Sequence, residues 1–187
     1  GLGKRIAYNL ISAFGSSSLR LAYALALSDL ILAPATPSNT ARVGGVIMPI
    51  TTSLAKAFGS EPQDGPRKIG SFLMQSIYQV NTITSAMFQT SMAGNTLVAA
   101  LALQSFGIGI TWGDWAMAAI VPGIIALLIM PYFIYKVYPP EIRDAREAQQ
   151  MIREELRGLG KMSFQEWVML GVFVLALVLW ATSQFTK

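Results

Sequence analysis

Residues 34–45, with the sequence PATPSNTARVGG, interrupt a stretch that is otherwise strongly apolar. At their centre, residues 37–40 (Pro-Ser-Asn-Thr) are polar and helix-breaking, and a short apolar arm lies on each side, at about 21–36 and 41–56. At about 1.5 Å per residue, each arm would reach roughly 24 Å as a helix, less than the roughly 30 Å of a bilayer core. This length favours a re-entrant helical hairpin, with its tip inside the membrane, over two complete spans. Irregular backbone at that depth needs protein or a water-filled cavity to satisfy it, so the tip is a candidate site.

The composition indicates a membrane protein. Of 187 residues, 53% are hydrophobic and 13% are charged, against roughly 25% charged in soluble domains. Charges are missing from 69–113, 115–135 and 167–186, and apolar runs of about 18 residues are long enough to cross a bilayer. The sequence has no His and no Cys, which excludes Cys/His metal sites, disulfide scaffolds and His- or Cys-based catalysis. The net charge of +4 is too diluted by apolar residues to indicate nucleic-acid binding.

Clusters of basic residues predict the topology of the chain. Regions near 1–20, 56–68 and 136–161 are rich in Lys and Arg and are predicted to be cytoplasmic, whereas 107–113 is predicted to be external. The predicted segments are the end of a preceding scaffold helix with a cytoplasmic connector at 1–20, the re-entrant hairpin at 21–57, a broken transmembrane helix at 67–106, a transmembrane helix at 114–138, a cytoplasmic interfacial helix at 140–160 and a transmembrane helix at 164–183. Because Gly1 stands where an initiator Met would, we expect an excerpt of a longer polypeptide.

The apolar run at 69–106 is predicted to break. As one helix it would be about 57 Å long, nearly twice the thickness of a bilayer core. Small and polar residues at 91–96 place the break there. Freed carbonyls and side-chain oxygens at such a break are hard ligands that suit Na⁺. The structural alternative is a glycine kink that allows close helix packing.

Three further signals concern the ends of helices. Asp114 is predicted to cap the helix that follows it. Ser163 and Glu166 have the spacing of a capping box for the last helix. Trp112 and Trp115 are predicted to lie at the aqueous boundary as part of an aromatic belt.

The hairpin tip has the chemistry of an anion site. A helix starting at Ala41 would present free backbone N–H groups and the positive end of its dipole, to which Ser38, Asn39 and Thr40 add short polar side chains. Many secondary transporters bind substrate at broken helices near the membrane midplane. The alternative is a plain N-cap after a turn, because Ser, Asn and Thr are favoured capping residues.

Asp29 and Arg42 are the charges within the hairpin, away from its ends. Ionisable residues inside a membrane are costly, so they are usually functional or paired. Arg42 lies within one helical turn of the tip, where it either contacts an anionic substrate or replaces a bound cation. The structural alternative is an ion pair with Asp29, for which a structural role is predicted, or a capped carbonyl.

Residues 34–45 resemble the signature hairpin of the divalent anion/sodium symporter (DASS, INDY-like) family, and within it the bacterial citrate/succinate and 2-oxoglutarate/malate translocators. Further stretches with this resemblance are RKIGSFL at 67–73, TSAMF at 84–88, YPPEI at 138–142 and EWVMLG at 166–171. The resemblance covers essentially the whole chain. The branch usually shows Asn-Pro where this chain has Asn95-Thr96.

The resemblance implies an all-α membrane protein, part of an elevator-type transporter with two inverted repeats. Each repeat contributes one Ser-Asn-Thr tip, and this chain would hold about the first repeat. Carboxylates would bind at Ser38, Asn39 and Thr40, with Arg42 beside them. In sodium-coupled members, the tip and the adjacent break hold Na⁺, which here would involve Ser38, Asn39, Ala93, Gly94 and Asn95. The family also implies a homodimer, as a multi-pass protein of the inner membrane.

The predicted function is secondary transport of di- and tricarboxylate anions of the succinate, malate, 2-oxoglutarate and citrate class. Exchange is favoured because a fixed charge on Arg42 would replace the Na⁺ of symporting relatives. The alternatives are Na⁺-coupled dicarboxylate symport and, from another class, a non-transporting membrane scaffold or subunit. No enzymatic activity is predicted, since the sequence offers no pair of close titratable groups for acid–base chemistry. No cofactor is predicted, apart from Na⁺ in the symport alternative, and the expected partners are carboxylate anions and lipid.

Overall fold

The computed structural model describes residues 1–182, and every regular element in that range is helical. The helices are α1 (Leu2–Phe14), α2 (Ser18–Leu32), α3 (Asn39–Arg42), α4 (Met48–Ala57), α5 (Gly70–Met87), α6 (Ala93–Phe106), α7 (Trp112–Val137), α8 (Arg146–Gly158) and α9 (Phe164–Ala181). Short 3-10 turns follow α2, at Ala33–Ala35, and precede α6, at Gln89–Ser91, while a π-helical turn, Val43–Ile47, joins α3 to α4. The last residue of the helix predicted at 164–183 lies outside the described range.

The hairpin consists of two helical arms separated by an extended linker. The first arm is α2 with its 3-10 turn, and the second runs without interruption from α3 through the π-helical turn to α4. Between them, Thr36 and Ser38 have extended backbone dihedrals. Pro37 explains the interruption, because proline lacks an N–H and disfavours the helical region for the residue before it.

Both arms are longer than the sequence predicts. The first arm begins at Ser18, because the Ser17 side chain accepts a hydrogen bond from the backbone N–H of Arg20 and caps the helix. Ser18–Ala35 has 18 residues and is apolar enough to cross a membrane, and at about 1.5 Å per residue it is roughly 27 Å long. The length of the arms is therefore weaker evidence for a re-entrant hairpin than the sequence analysis expects. The main evidence for this interpretation is the interruption of the helix at 36–38.

The helix at 69–106 does break, but the break lies earlier than predicted. Phe88 and Met92 are extended and flank the 3-10 turn, so that residues 88–92 form what we call the break. The expected loop residues Ala93, Gly94 and Asn95 instead form the first turn of α6. The polar side chains at 91 and 95 both bond to the Ser85 carbonyl near the end of α5, as short polar side chains at helix ends commonly do.

The later helices differ from prediction at their starts. Helix α7 begins at Trp112, with Thr111 as its N-cap, so Asp114 is the third residue of a capping box rather than the cap. The capping box of Ser163 and Glu166 at the start of α9 is confirmed. The helix expected at 140–160 begins only at Arg146.

An irregular segment, residues 141–145, takes the place of the expected first turn of that helix. Its backbone N–H groups at Glu141 and Ile142 donate to the carbonyls of Arg67 and Lys68, at 3.1 and 2.9 Å. Its Arg143 carbonyl accepts from the N–H of Ser18 at 3.0 Å. These backbone bonds use groups that a helix would have paired internally, and they join the start of α2 to the loop before α5.

The main hydrophobic core lies where α1, α2, α4, α5 and α8 meet. Its largest fully buried side chains include Ile11, Leu21, Leu25, Leu54, Phe72, Leu73 and Ile152. A smaller cluster packs α2 and α5 against α7, through Ala26, Val80, Met87 and Leu127. Because α2 and α5 contribute to both clusters, the first arm of the hairpin and the helix before the break are anchored in the hydrophobic core.

The outer helices present apolar surface. Three segments in the described range are long and apolar enough to cross a membrane: Ser18–Ala35, Trp112–Val137 and Phe164–Ala181, with mean hydropathies of 1.3, 2.3 and 1.9. Most large apolar side chains of α7 and α9 are exposed. Such surfaces are expected of helices that contact lipid or further protein.

Candidate functional site

The hairpin tip, residues 37–40, presents polar groups at the start of the second arm. Ser38 Oγ accepts from the N–H of Ala41 at 3.2 Å, and Asn39 Oδ1 accepts from the N–H of Thr40 at 2.9 Å. Ser38 is therefore an N-cap, which was the plain alternative in the sequence analysis. Within residues 1–182, the Asn39 amide nitrogen and the Thr40 hydroxyl have no hydrogen-bond partner, and Ser38 and Thr40 are exposed. The tip is therefore capped, and within the described residues it also keeps two donors without a partner.

Arg42 lies behind the tip and is buried, with 1% of its surface exposed. It forms five hydrogen bonds: Nε donates to Asp29 Oδ1 at 2.8 Å, Nη1 to the carbonyls of Thr36 and Ser91 at 3.3 Å each, and Nη2 to Thr84 Oγ1 and Ser85 Oγ at 3.2 Å each. A guanidinium has five N–H groups, and all of them are matched here. One side chain thus joins both arms of the hairpin, α5 and the break.

The structure shows the ion pair between Arg42 and Asp29 that was the structural alternative in the sequence analysis. The donors of Arg42 are engaged by protein acceptors and its side chain is buried. Asp29, itself 1% exposed, pairs with it and also accepts from the hydroxyl of Thr84. Removing one partner of a buried ion pair usually costs about 3–5 kcal/mol, because the other charge is left uncompensated. We therefore treat Arg42 as a positioning residue for the tip.

The break is organised by two polar side chains. Ser91 Oγ lies 2.6 Å from the carbonyl oxygen of Ser85 and 2.7 Å from that of Phe88. Asn95 Nδ2 donates to the same two carbonyls, at 2.7 and 2.9 Å. These bonds satisfy acceptors that the interrupted helix would otherwise leave unpaired. They also fix the Asn95 amide, whose Oδ1 has no donor among the described residues.

The predicted sodium ligands fall on two neighbouring segments. Ser38 and Asn39 are at the tip, while Ala93, Gly94 and Asn95 begin α6. Two contacts bring these segments together: Arg42 Nη1 bonds to the Ser91 carbonyl, and Thr90 Oγ1 donates to the Pro34 carbonyl at 2.6 Å. Asn95 is buried and Ala93 is exposed.

Sequence reasoning missed several residues of this arrangement. Thr84 and Ser85 hold Arg42, and their signal was a polar face on a charge-free helix. Trp112 was predicted to be an interface residue, but its Nε1 donates to Thr90 Oγ1 at 3.0 Å. Trp115 Nε1 likewise donates to the Ala86 carbonyl at 2.9 Å. Neither of these contacts has a local sequence pattern.

The fold and the site together define a helical membrane protein in which an interrupted hairpin is tied to a broken helix. Interrupted helices of this kind are the usual way in which secondary transporters build a site inside the bilayer. A family model described as sodium:sulfate symporter transmembrane region matches residues 1–187. The chain belongs to this family, which confirms the resemblance drawn from residues 34–45.

Known proteins similar to this chain carry names connected with membranes and transport. Inner membrane protein YbhI of Escherichia coli (strain K12) is 50% identical over 184 residues, which cover 98% of this chain and 38% of that protein. Dicarboxylate transporter 1, chloroplastic, of Spinacia oleracea is 45% identical over 181 residues, covering 96% of this chain and 32% of that protein. The citrate/succinate antiporter of Escherichia coli (strain K12) is 38% identical over 181 residues, covering 96% and 37%. The chain therefore spans only about a third of the length of these relatives.

Proposed function

We propose that this chain forms about the first repeat of a secondary transporter for di- and tricarboxylate anions, of the succinate, malate, 2-oxoglutarate and citrate class. The observation that carries the proposal is the tip, where Ser38, Asn39 and Thr40 expose polar groups at the start of a helical arm held from behind by Arg42. Relatives named as a dicarboxylate transporter and a citrate/succinate antiporter support the substrate class. Transport makes and breaks no covalent bond, so no enzymatic activity is proposed.

The tip suits one carboxylate group of such an anion. The Asn39 amide and the Thr40 hydroxyl supply donors that lack partners in residues 1–182, and the Ser38 hydroxyl adds a third. Hydrogen bonds to a charged acceptor are roughly twice as strong as those between neutral groups. The start of a helix also carries about half a positive charge. A di- or tricarboxylate would bind its remaining carboxylates elsewhere, which we assign to the corresponding tip of a second, inverted repeat.

Arg42 supports anion exchange as the mode of coupling. Its Nη1 bonds to the carbonyls of Thr36 and Ser91, which belong to the two irregular segments of the site. In transporters with broken helices, unwound carbonyls of this kind coordinate Na⁺. The guanidinium, paired with Asp29, therefore donates to carbonyls that could otherwise coordinate a cation.

Na⁺-coupled symport is the second candidate, and Asn95 favours it. Its Nδ2 is fixed by two carbonyls, which leaves Oδ1 as an oriented oxygen without a donor in residues 1–182. Oxygen ligands of this type suit Na⁺, and Ser38, Asn39, Ala93 and Gly94 would supply the remaining ones. In either case we propose a homodimer of elevator type in the inner membrane, which is where the name of the Escherichia coli relative places that protein.

The test is uptake of labelled succinate by proteoliposomes that contain the full-length transporter carrying this sequence. Vesicles are loaded with unlabelled succinate or left empty, with and without an inward Na⁺ gradient. Uptake that needs internal succinate and ignores Na⁺ establishes exchange, whereas Na⁺-dependent uptake into empty vesicles establishes symport. Asn39→Ala is expected to abolish both uptake and stabilisation of the protein by succinate. A variant that keeps both would overturn the tip as the carboxylate site, and absence of uptake by the unmutated transporter would favour the scaffold alternative.

A further inference from the structure

The start of α7 is tied to the hairpin through a short hydrogen-bonded relay. Trp112 Nε1 donates to Thr90 Oγ1 at 3.0 Å, and the same hydroxyl lies 2.6 Å from the Pro34 carbonyl, to which it donates. A hydroxyl has a single proton, so Thr90 can serve both neighbours only as acceptor from one and donor to the other. The relay runs from the first residue of α7, through the break, to the last turn of the first arm.

The Pro34 carbonyl needs such a donor for a reason visible in the sequence. In a 3-10 turn a carbonyl bonds to the N–H three residues further along, and that residue here is Pro37, which has none. Pro34 is buried, and a buried acceptor without a donor costs about 1–3 kcal/mol. The Thr90 hydroxyl supplies the missing donor from another part of the chain.

The donor at the far end of the relay is held by a ring contact. The indole of Trp112 stacks on Phe88, with centroids 5.9 Å apart and planes 16° apart. Stacking fixes the plane of the ring and hence the direction in which its N–H points. Phe88 begins the break, so the contact joins the same two segments as the hydrogen bond.

We infer that Trp112 and Thr90 are positioning residues for the carboxylate site. Thr90 holds the first arm four residues before Ser38, while Arg42 holds the second arm through the carbonyl of the adjacent Ser91. Both arms are thus fixed to neighbouring residues of the break, on either side of the tip. This inference rests on the proposed function, because the proposed function assigns a carboxylate to the tip, and binding of that carboxylate depends on the spacing of the donors at the tip.

The test compares Thr90→Val, which keeps the shape and removes the hydroxyl, with Trp112→Phe, which keeps a ring and removes the N–H. Both are made in the full-length transporter, and initial rates of succinate counterflow give KM and the maximal rate. A hydrogen bond of ordinary strength predicts a rise in KM between about twofold and tenfold, with little change in maximal rate. Thr90→Ser keeps the hydroxyl and should restore the original KM. Trp115→Phe is the matched control, since it removes an indole bond to the Ala86 carbonyl rather than to the hairpin.

Non-additivity distinguishes a relay from two separate packing defects. Thr90→Val already breaks both bonds, so adding Trp112→Phe should raise KM no further. Multiplying effects, or single variants with unchanged KM, would overturn the inference. Should Thr90→Val fail to fold, the KM of Trp112→Phe tests the inference by itself. That variant keeps the Thr90 hydroxyl and its bond to the Pro34 carbonyl, so it should fold. Asn39→Ala distinguishes failure of the proposed function from failure of the relay. A fully active Asn39→Ala transporter refutes the proposed function. An inactive Asn39→Ala transporter, together with a Thr90→Val transporter of normal KM, refutes only the relay.

Discussion

Arg42→Gln is the perturbation that most directly tests how the hairpin is held. It removes the positive charge next to a carboxylate that lies 2.8 Å away and is almost completely buried. Asp29 then keeps only the hydroxyl of Thr84 as a partner within residues 1–182, and the Thr36 and Ser91 carbonyls lose their shared donor. The loss of one partner of a buried pair predicts a decrease of about 3–5 kcal/mol in the free energy of unfolding.

The double variant Asp29→Asn with Arg42→Gln gives the sharper measurement. It replaces two charges by two amides, so no uncompensated charge remains, and it should be destabilised by less than the sum of the single variants. Contacting residues in one network typically show coupling of about 0.5–3 kcal/mol. The assay is unfolding of the purified full-length transporter in detergent, followed by tryptophan fluorescence. Destabilisation that adds to within about 0.5 kcal/mol would refute the pairing. Arg42→Lys should recover part of the loss, because it keeps the charge but cannot form five bonds.

The same unfolding assay tests three other parts of the fold. Gly123→Ala places a Cβ 2.5 Å from Met87 Cγ, so overpacking between α5 and α7 should cost about 1–3 kcal/mol; an unchanged midpoint would contradict this close approach. Asn95→Ala uncovers two backbone carbonyls and should cost about 1–3 kcal/mol, whereas the exposed neighbour variant Thr96→Ala should stay within about 0.5 kcal/mol; equal effects would refute the role of Asn95. Ser163→Ala removes a helix cap and should cost about 0.5–2 kcal/mol, and restoration by Asp but not by Val would identify capping as the cause.

Local chemistry made the interruption of the hairpin predictable from sequence. Pro37 lacks an N–H and restricts Thr36, so the gap between the arms follows from properties of adjacent residues. The lengths of the arms were less predictable, because the basic region near 1–20 predicts a cytoplasmic connector that ends at Arg20. The structure instead begins α2 at Ser18, with Ser17 as its cap. A charged residue in the first turn of a helix is no obstacle when that end faces water, and the cap was the better signal.

The break shows why a correct expectation can be displaced by one turn. Small and polar residues at 91–96 predict the irregular segment at that position, but Ser91 and Asn95 are the groups that satisfy a carbonyl freed upstream. A polar side chain marks the neighbourhood of a helix end, and the carbonyl it serves can lie on either side. Only the tertiary arrangement decides whether that carbonyl lies before or after the polar side chain, because the answer depends on which backbone groups are buried.

The role of Arg42 could not be decided from the sequence for a different reason. Its partners lie 6 to 49 positions away along the chain, and no local pattern states that they converge. The sequence indicated that a charge in an apolar hairpin needs a partner or a ligand, and Asp29 was a candidate partner. What it could not supply is the number of competing acceptors, which together engage all five N–H groups of the guanidinium within residues 1–182.

Attachment of both arms to the break makes a prediction about motion. Thr90 holds the first arm and the Ser91 carbonyl holds the second through Arg42, so the tip has little freedom to open as a separate flap. Alternating access by movement of the hairpin and the break as one body is therefore favoured, in keeping with the proposed elevator. Hydrogen exchange with and without succinate measures this: amides of the second arm and of α6 should change protection together. Changes confined to the hairpin, with constant exchange in α6, would mean that the hairpin gates on its own and that these bonds open during transport.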